Sequence, residues 1–139
     1  MSDDPLGLVC PGCRSRVERQ SETYACGKCN RVYPILFGIP DFRLRGDRYL
    51  SLDDEREKAR RLYEFGQGHD FKQLVAYYYS ITDDVPGHLE PIFRDYVLNA
   101  SQRSIPALRA LAPNGGRSLL DLGCGSGGAV VAGQAFFKY

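Results

Sequence analysis

The chain has no long hydrophobic run and almost no excess charge of either sign. Its 139 residues include 18 Lys+Arg and 17 Asp+Glu, which gives a formal net charge of +1. No stretch reaches the roughly 20 apolar residues that span a bilayer, and the acidic start, 1–4, leads into no apolar segment of a secretory signal. The near-neutral balance also argues against a strongly electrostatic partner such as duplex DNA. We therefore expect a globular, cytoplasmic protein with no membrane partner.

Four of the five cysteines form two closely spaced pairs. Each pair is a C-x2-C knuckle, and twelve residues separate the knuckles: Cys10, Cys13, Cys26 and Cys29. Two such knuckles can place four thiolates around one ion, and a closed tetrathiolate site is structural, not catalytic. The alternatives are two disulfides or cysteines packed as small buried side chains, but a reducing cytosol favours metal. We predict structural zinc in a small β domain, 5–42, with Gly12 and Gly27 allowing the backbone conformation of each knuckle.

The stretch after the second knuckle, 31–37, is rich in β-forming residues. Pro34 lies in its middle. Because proline lacks the N–H that a central strand donates, the pattern predicts an edge strand. The segment 38–41 has the composition of a turn and is expected to close the β region.

The middle of the chain, 43–112, has the apolar spacing of amphipathic helices. Gly66 is expected to end the first helix, and Asp70 is expected to cap the second. Further on, Ser104 followed closely by Pro106 predicts that a new helix starts there.

The C-terminal segment joins a short apolar run to a glycine-rich loop. The run 118–122 has the length of a strand, the loop 123–128 follows, and 129–139 is expected to be helical. This order is the layout of the first βα unit of a Rossmann-like sheet. Glycines let a ligand approach the backbone closely, although a plain tight turn is the alternative.

The run 121–127, D-L-G-C-G-S-G, resembles motif I of class I S-adenosylmethionine-dependent methyltransferases. In that family the loop wraps the amino-acid part of the cofactor, and the acidic residue helps to hold it. The resemblance therefore implies that four residues bind S-adenosylmethionine: Asp121, Gly123, Gly125 and Gly127. The G-x-G-x-G spacing departs from the G-x-G-x-x-G of nicotinamide dehydrogenases, and Cys124 stands where the family often has cysteine.

The two knuckles, with Y-P-I at 33–35 and G-I-P-D-F at 38–42, resemble the zinc ribbon of small activator proteins of tRNA and rRNA methyltransferases. The same ribbon precedes many bacterial class I methyltransferases, with a helical stretch in between. The resemblance implies a zinc ribbon at 5–42, a helical linker or substrate-side segment at 43–112, and the start of a Rossmann-like methyltransferase domain at 113–139.

A methyltransferase of this class needs a larger parallel sheet than 113–139 can form. The chain ends 18 residues after Asp121, and the acidic residue that grips the ribose is expected about 20 residues on. We therefore expect the N-terminal portion of such an enzyme, inactive alone, with RNA or a small molecule as methyl acceptor and no catalytic residue identified. The expected fold class is α/β: a β zinc ribbon, a helical segment and the first βα unit of a Rossmann-like sheet.

Two other functions fit the sequence. An interaction module would dock the ribbon and helices on a separate methyltransferase, as the activator proteins do. A nucleic-acid-binding ribbon would use basic side chains that have few aromatic neighbours for stacking: Arg14, Arg16, Arg19, Lys28 and Arg31. His69 and His88 lie far from the knuckles in sequence, and we expect neither to be a metal ligand.

Overall fold

The structure, a computed structural model, describes residues 7–46, 48–83 and 85–138. The acidic start 1–4, the first two residues of the predicted ribbon and the last residue of 113–139 lie outside the described residues. The chain divides into two compact units, with the boundary between Tyr63 and Glu64. The described elements are, in chain order, β1 (Glu18–Gln20), β2 (Thr23–Ala25), β3 (Val32–Leu36), β4 (Ile39–Pro40), α1 (Leu52–Gly66), α2 (Phe71–Ser80), α3 (Glu90–Leu111) and α4 (Gly128–Gly133).

The strands form one antiparallel sheet in the order β1-β2-β3-β4, and we refer to this sheet and the two knuckles as the ribbon. The prediction of an edge strand around Pro34 is wrong, because β3 lies between β2 and β4. The sheet tolerates the proline because the N–H of Ile35 donates to Glu22 on the β2 side, at 2.8 Å. The carbonyl of Pro34 accepts from Asp41 on the opposite side. The N–H that Pro34 lacks would point to that side too, so no hydrogen bond between β2 and β3 is lost.

A two-residue turn, Phe37 and Gly38, joins β3 to β4. Their φ angles are 54° and 80°, and positive φ at both positions gives the backbone twist that a tight hairpin needs. The turn therefore begins before the predicted segment 38–41, in which Ile39 and Pro40 form a strand instead.

Asp70 caps α2, as predicted. Its carboxylate accepts a hydrogen bond from the backbone N–H of Gln73 at 2.8 Å, and the Gln73 side chain accepts one from the N–H of Asp70 at 2.9 Å. This capping box satisfies N–H groups that have no partner within the helix. The predicted end of α1 at Gly66 is also confirmed.

The prediction of a new helix at Ser104 is wrong, because α3 is a single helix of 22 residues with Pro106 inside it. The hydroxyl of Ser104 donates to the carbonyl of Ala100 at 3.0 Å, which is the usual behaviour of serine within a helix. Val97 and Leu108, on either side of the proline, are both buried. Proline removes one backbone hydrogen bond from the helix. The packing of this buried face stabilises α3 enough for the helix to continue past Pro106.

The predicted strand at 118–122 is not formed among the described residues. One isolated parallel bridge, Gly116 with Phe137, is the pairing seen in this segment. A parallel strand completes its hydrogen bonds on neighbouring strands, and the described residues place none beside it. Leu120 and Leu122 are accordingly 72% and 85% exposed. The helix after the loop is also shorter than predicted, since α4 has six residues, and the Rossmann-like unit is not confirmed.

No helix in the described part of the chain is long and apolar enough to cross a membrane. The fold is thus mixed α/β, with a small antiparallel sheet in the first unit and helices in both.

Candidate metal centre

The sulfur atoms of the four knuckle cysteines converge on one point. All four Sγ atoms lie within 4.8 Å of one another, with 3.6 Å between those of Cys10 and Cys29 and 3.4 Å between those of Cys13 and Cys26. Four thiolates bound to a tetrahedral zinc ion at about 2.3 Å would be roughly 3.8 Å apart. The four cysteines, none of which is in a disulfide, are therefore close enough together to bind a structural metal ion.

The two knuckles have the same backbone hydrogen bonds. In the first, the N–H of Arg14 donates to the carbonyl of Cys10 at 2.7 Å. In the second, the N–H of Asn30 donates to the carbonyl of Cys26 at 2.9 Å. Arg14 and Asn30 occupy equivalent positions and have φ angles of 61° and 56°. Each knuckle therefore closes a backbone hydrogen bond within five residues.

The conformational role predicted for Gly12 and Gly27 is wrong, because the left-handed residues of the knuckles are Arg14 and Asn30. Gly12 instead has a steric role: a Cβ atom there would lie 2.8 Å from Nη1 of Arg31. The Arg31 side chain thus passes across the first knuckle where glycine leaves room for it. A Cβ atom at Gly27 would meet nothing within 4 Å.

The cysteines form the core of the ribbon. Cys10 and Cys26 are 0% and 2% exposed, and three other side chains are buried with them: Val17, Tyr24 and Tyr33. The ring of Phe42 packs on both tyrosines, with centroids 5.6 Å from Tyr24 and 5.0 Å from Tyr33. So few apolar side chains bury too little surface to hold a domain of this size together. Metal binding and folding of the ribbon are therefore expected to be one process.

Two side chains donate hydrogen bonds to the sulfur atoms. The hydroxyl of Tyr33 lies 3.0 Å from Sγ of Cys10, and a hydrogen bond with Cys29 is the main cause that raises the pKa of Arg31. The bond from Tyr33 is the main reason that the pKa of Cys10 is lowered to about 6, with knuckle N–H groups adding to it against the effect of burial. Burial and the bond to Cys10 raise the pKa of Tyr33 to about 12. At neutral pH the phenol is therefore the donor and the thiolate the acceptor.

The thiol of Cys26 differs from that of Cys10 in the direction of its pKa shift. The N–H of Cys29 lowers the pKa of Cys26, but burial and the neighbouring thiols outweigh it and raise that pKa to about 11. Like charges this close cannot all form unless an opposite charge offsets them. All four donor atoms of the cluster are cysteine sulfurs. Soft thiolate ligands suit zinc, so the residues present fit a zinc ion.

A second polar cluster joins the end of the ribbon to α1. The buried carboxylate of Asp41 accepts hydrogen bonds from Nε of Arg43 at 2.8 Å and from Nε of Arg56 at 3.1 Å. Arg43 also pairs with Glu55. The hydrogen bond from Arg43 is the main cause that lowers the pKa of Asp41 to about 2. The sequence places Asp41 in a turn segment and in the G-I-P-D-F motif, but nothing in it indicates which distant arginine a buried carboxylate will meet.

The residues predicted to bind the cofactor lie together at one turn of the second unit, in which Gly123 and Gly125 are exposed. Gly123, Gly125 and Gly127 have φ angles of 75°, 54° and 75°, and a Cβ atom on any of them would meet nothing within 4 Å. Asp121 is half-buried just ahead of them, and the Cys124 thiol is exposed. The loop therefore has the conformation that glycine favours and leaves its backbone open.

Neither His69 nor His88 belongs to the sulfur cluster, whose four donors are all cysteines. The ring of His69 stacks on Phe65, with centroids 3.7 Å apart, and its Nδ1 lies 2.6 Å from the carbonyl oxygen of Phe65. That geometry makes His69 a residue of the turn after α1. Among the basic side chains considered for nucleic acid, Arg31 is engaged with Cys29.

No family model matches the chain, and no curated protein or solved structure matches it either. The geometry defines a four-cysteine cluster that is compatible with a zinc ribbon, in a protein of mixed α/β structure. The resemblance to methyltransferases rests on the motif residues alone.

Proposed function

We propose that the chain is a zinc-ribbon protein of S-adenosylmethionine-dependent methyl transfer, in which the ribbon is a structural metal module and the glycine loop takes part in cofactor binding. The observation that carries the metal half is the convergence of four Sγ atoms within 4.8 Å. Four thiolates complete a tetrahedral shell and leave no position for a substrate. The metal would therefore hold the fold and take no part in methyl transfer.

In the metal half, Cys10 and Cys13 would hold the ion from the first knuckle, and Cys26 and Cys29 from the second. Bound zinc would supply the positive charge that four neighbouring thiolates need. One knuckle precedes β1 and the other follows β2, and the antiparallel register sets Glu18 opposite Ala25, so one ion would hold the open end of that hairpin together. The small apolar core around Tyr24 would then pack against knuckles and strands that the metal holds in place.

The conformation of the loop supports the cofactor half. Positive φ at every second residue of 123–127 is a backbone pattern found in concave sites whose N–H groups bind an anionic group such as a carboxylate. The N–H of Gly127 donates to the carbonyl of Cys124 within the loop, so the N–H groups proposed for the ligand are those that precede it. The carboxylate of Asp121 has the charge that suits the α-ammonium of the same amino-acid part. Methyl transfer from a sulfonium is an in-line displacement in which positioning does much of the work. The contribution proposed for this loop is to hold the cofactor's amino-acid end.

A calorimetric titration of S-adenosylmethionine into the zinc-loaded chain tests the cofactor half. We expect weak, saturable binding that Asp121→Asn and Gly125→Ala each reduce by about tenfold, or about 1.4 kcal/mol. Gly68→Ala is the matched control, because a Cβ atom there also meets nothing within 4 Å but the residue lacks positive φ. Absence of binding, or equal affinity in all four proteins, would contradict cofactor binding by the loop and leave the metal half standing.

A second candidate function, an interaction module for a separate methyltransferase, is favoured by a groove of about 460 Å³ in the first unit. The groove is lined by the β3–β4 hairpin and the start of α1, and Ile39 at its edge is 69% exposed. On this hypothesis a methyltransferase co-purifies with the chain, and Ile39→Glu abolishes recovery of its activity. Val32→Glu is the control, since Val32 is 59% exposed but does not line the groove. Equal recovery with both variants would contradict docking in the groove.

A further inference from the structure

Two donors point at the sulfur cluster without being metal ligands themselves. Tyr33 is 3% exposed, and its hydroxyl lies 3.0 Å from Sγ of Cys10. The Arg31 guanidinium lies against the first knuckle, because a Cβ atom at Gly12 would be 2.8 Å from its Nη1. It interacts there with Cys29 of the second knuckle, whose Sγ is 3.6 Å from that of Cys10. The donors therefore act on one sulfur atom from each half of the cluster, and they come from neighbouring positions at the start of β3.

The bond from Tyr33 is more than a by-product of packing. A buried hydroxyl without a partner is costly, and a phenylalanine would fill the same space without that cost. The register of the sheet sets Tyr33 opposite Tyr24, and both rings pack on Phe42. Of the two tyrosines, Tyr33 alone places its hydroxyl on a cluster sulfur among the described residues.

The position of Arg31 has its own independent support. A Cβ atom at Gly12 would lie 2.8 Å from Nη1 and 3.0 Å from Cζ of Arg31. Glycine at this knuckle position therefore leaves the space through which the guanidinium reaches the cluster. The equivalent residue of the second knuckle, Gly27, has no such neighbour.

We propose that Tyr33 and Arg31 form an outer shell that sets how tightly the cluster retains its metal, by donating hydrogen bonds to Cys10 and Cys29. The proposal rests on the metal half of the proposed function. Four thiolates around one divalent ion carry two excess negative charges, and each donor offsets part of that charge. Each donor also holds its sulfur atom in the position that the metal requires. Removing such partners of metal ligands typically lowers metal affinity about 10- to 100-fold.

The experiment measures transfer of zinc from the folded chain to a chromogenic chelator and, in parallel, the visible spectrum of the cobalt-substituted chain. We expect Tyr33→Phe to transfer zinc about tenfold faster than the unchanged chain. We also expect it to shift the sulfur-to-cobalt charge-transfer band to lower energy, because a sulfur without a donor gives up an electron more easily. Arg31→Met should do the same, and Arg31→Lys, which keeps a donor, should restore part of the retention.

Tyr24→Phe is the matched control. It removes a hydroxyl from the same core and leaves the packing on Phe42, but it removes no bond to sulfur, so neither the rate nor the charge-transfer band should change. If zinc binds at one ion per chain and Tyr33→Phe behaves like Tyr24→Phe, the outer shell is overturned while the metal site stands. If no zinc binds to the unchanged chain, the proposed metal site fails, and the outer shell fails with it.

Discussion

In the ribbon, Cys10 and Cys26 are almost fully buried and bonded within their own turns, whereas in the glycine loop the residues around Gly125 are exposed and meet little else. Both segments were identified from short glycine- or cysteine-containing motifs. The difference lies in what each motif needs in order to form. A knuckle closes its own hydrogen bonds within five residues, but the strand expected before the loop needs other strands beside it.

The comparison shows which sequence motifs can be interpreted alone. A motif whose geometry is local keeps that geometry wherever the surrounding chain places it. A motif that includes a strand forms completely only when other strands pair with it. The substitutions below test this distinction, from the largest expected effect to the smallest.

Replacing one ligand should have the largest effect. Cys26→Ser removes a buried sulfur donor from the cluster, so we expect loss of zinc at micromolar metal and loss of amide-exchange protection through β1–β4. Protection in α2 and α3, which belong to the second unit, should persist. Hydrogen exchange read by mass spectrometry, with metal analysis, measures both.

Cys124→Ser is the control for that experiment, because Cys124 is exposed and outside the cluster. It should keep its zinc and its exchange pattern. A ribbon that stays protected in Cys26→Ser would show that apolar packing alone holds it.

Asp41→Asn should have the next largest effect, since it weakens the ion pairs between the ribbon and α1. The arginines stay partly exposed, so solvent screens the pairs, and we expect a loss of about 1–2 kcal/mol in the free energy of unfolding. The folded pKa of about 2 lies below the ordinary 3.8. The stabilisation is therefore present above about pH 4 and is lost as the pH falls toward 2. Denaturant unfolding of both zinc-loaded proteins at pH 7, and down to the lowest pH at which metal analysis still finds one zinc per chain, measures the difference. An equal free energy at pH 7 would contradict it.

The loop glycines should differ from the knuckle glycine in their effect on stability. Gly123 has a φ angle of 75°, so Gly123→Ala should cost the folded protein about 1 kcal/mol through backbone strain. Gly27→Ala meets open space without positive φ and should change the free energy of unfolding by less than about 0.5 kcal/mol. Thermal and denaturant unfolding followed by circular dichroism compare the two. Equal effects would mean that the loop does not keep this conformation in solution.

The smallest expected effect is on the rate of zinc transfer, and it should differ between substitutions in the first and second knuckles. Gly12→Ala would push the flexible end of Arg31 away from the cluster, so zinc transfer to a chelator should become a few-fold faster. Gly27→Ala should leave the rate unchanged. Faster transfer with both alanines would point to the knuckle turns themselves and away from Arg31.

The sequence predicted the features that depend on neighbouring residues. The grouping of the cysteines, the cap at Asp70 and the end of α1 at Gly66 all follow from contacts within a few positions. It failed where distant residues decide the outcome. Pro34 lies in a central strand because β4 pairs with β3 on the side where proline has no N–H to donate. Pro106 stays within α3 because buried residues on both sides of it hold the helix together.

The candidate site divides in the same way. Spacing predicts four ligands for one ion, but the bond from Tyr33 to Cys10 depends on sheet register. The role of Arg31 depends on the space left by Gly12, which lies 19 residues earlier in the chain. No local pattern encodes either contact, and the two could be found only from the folded chain.

The central claim is that four thiolates and one metal ion hold the ribbon together, and titration of cobalt into the reduced, metal-free chain tests it most directly. The account predicts saturation at one ion per chain, with the intense visible bands of a tetrahedral tetrathiolate site and a simultaneous gain of exchange protection in β1–β4. Saturation without tetrathiolate bands, or full protection before any metal is added, would contradict it.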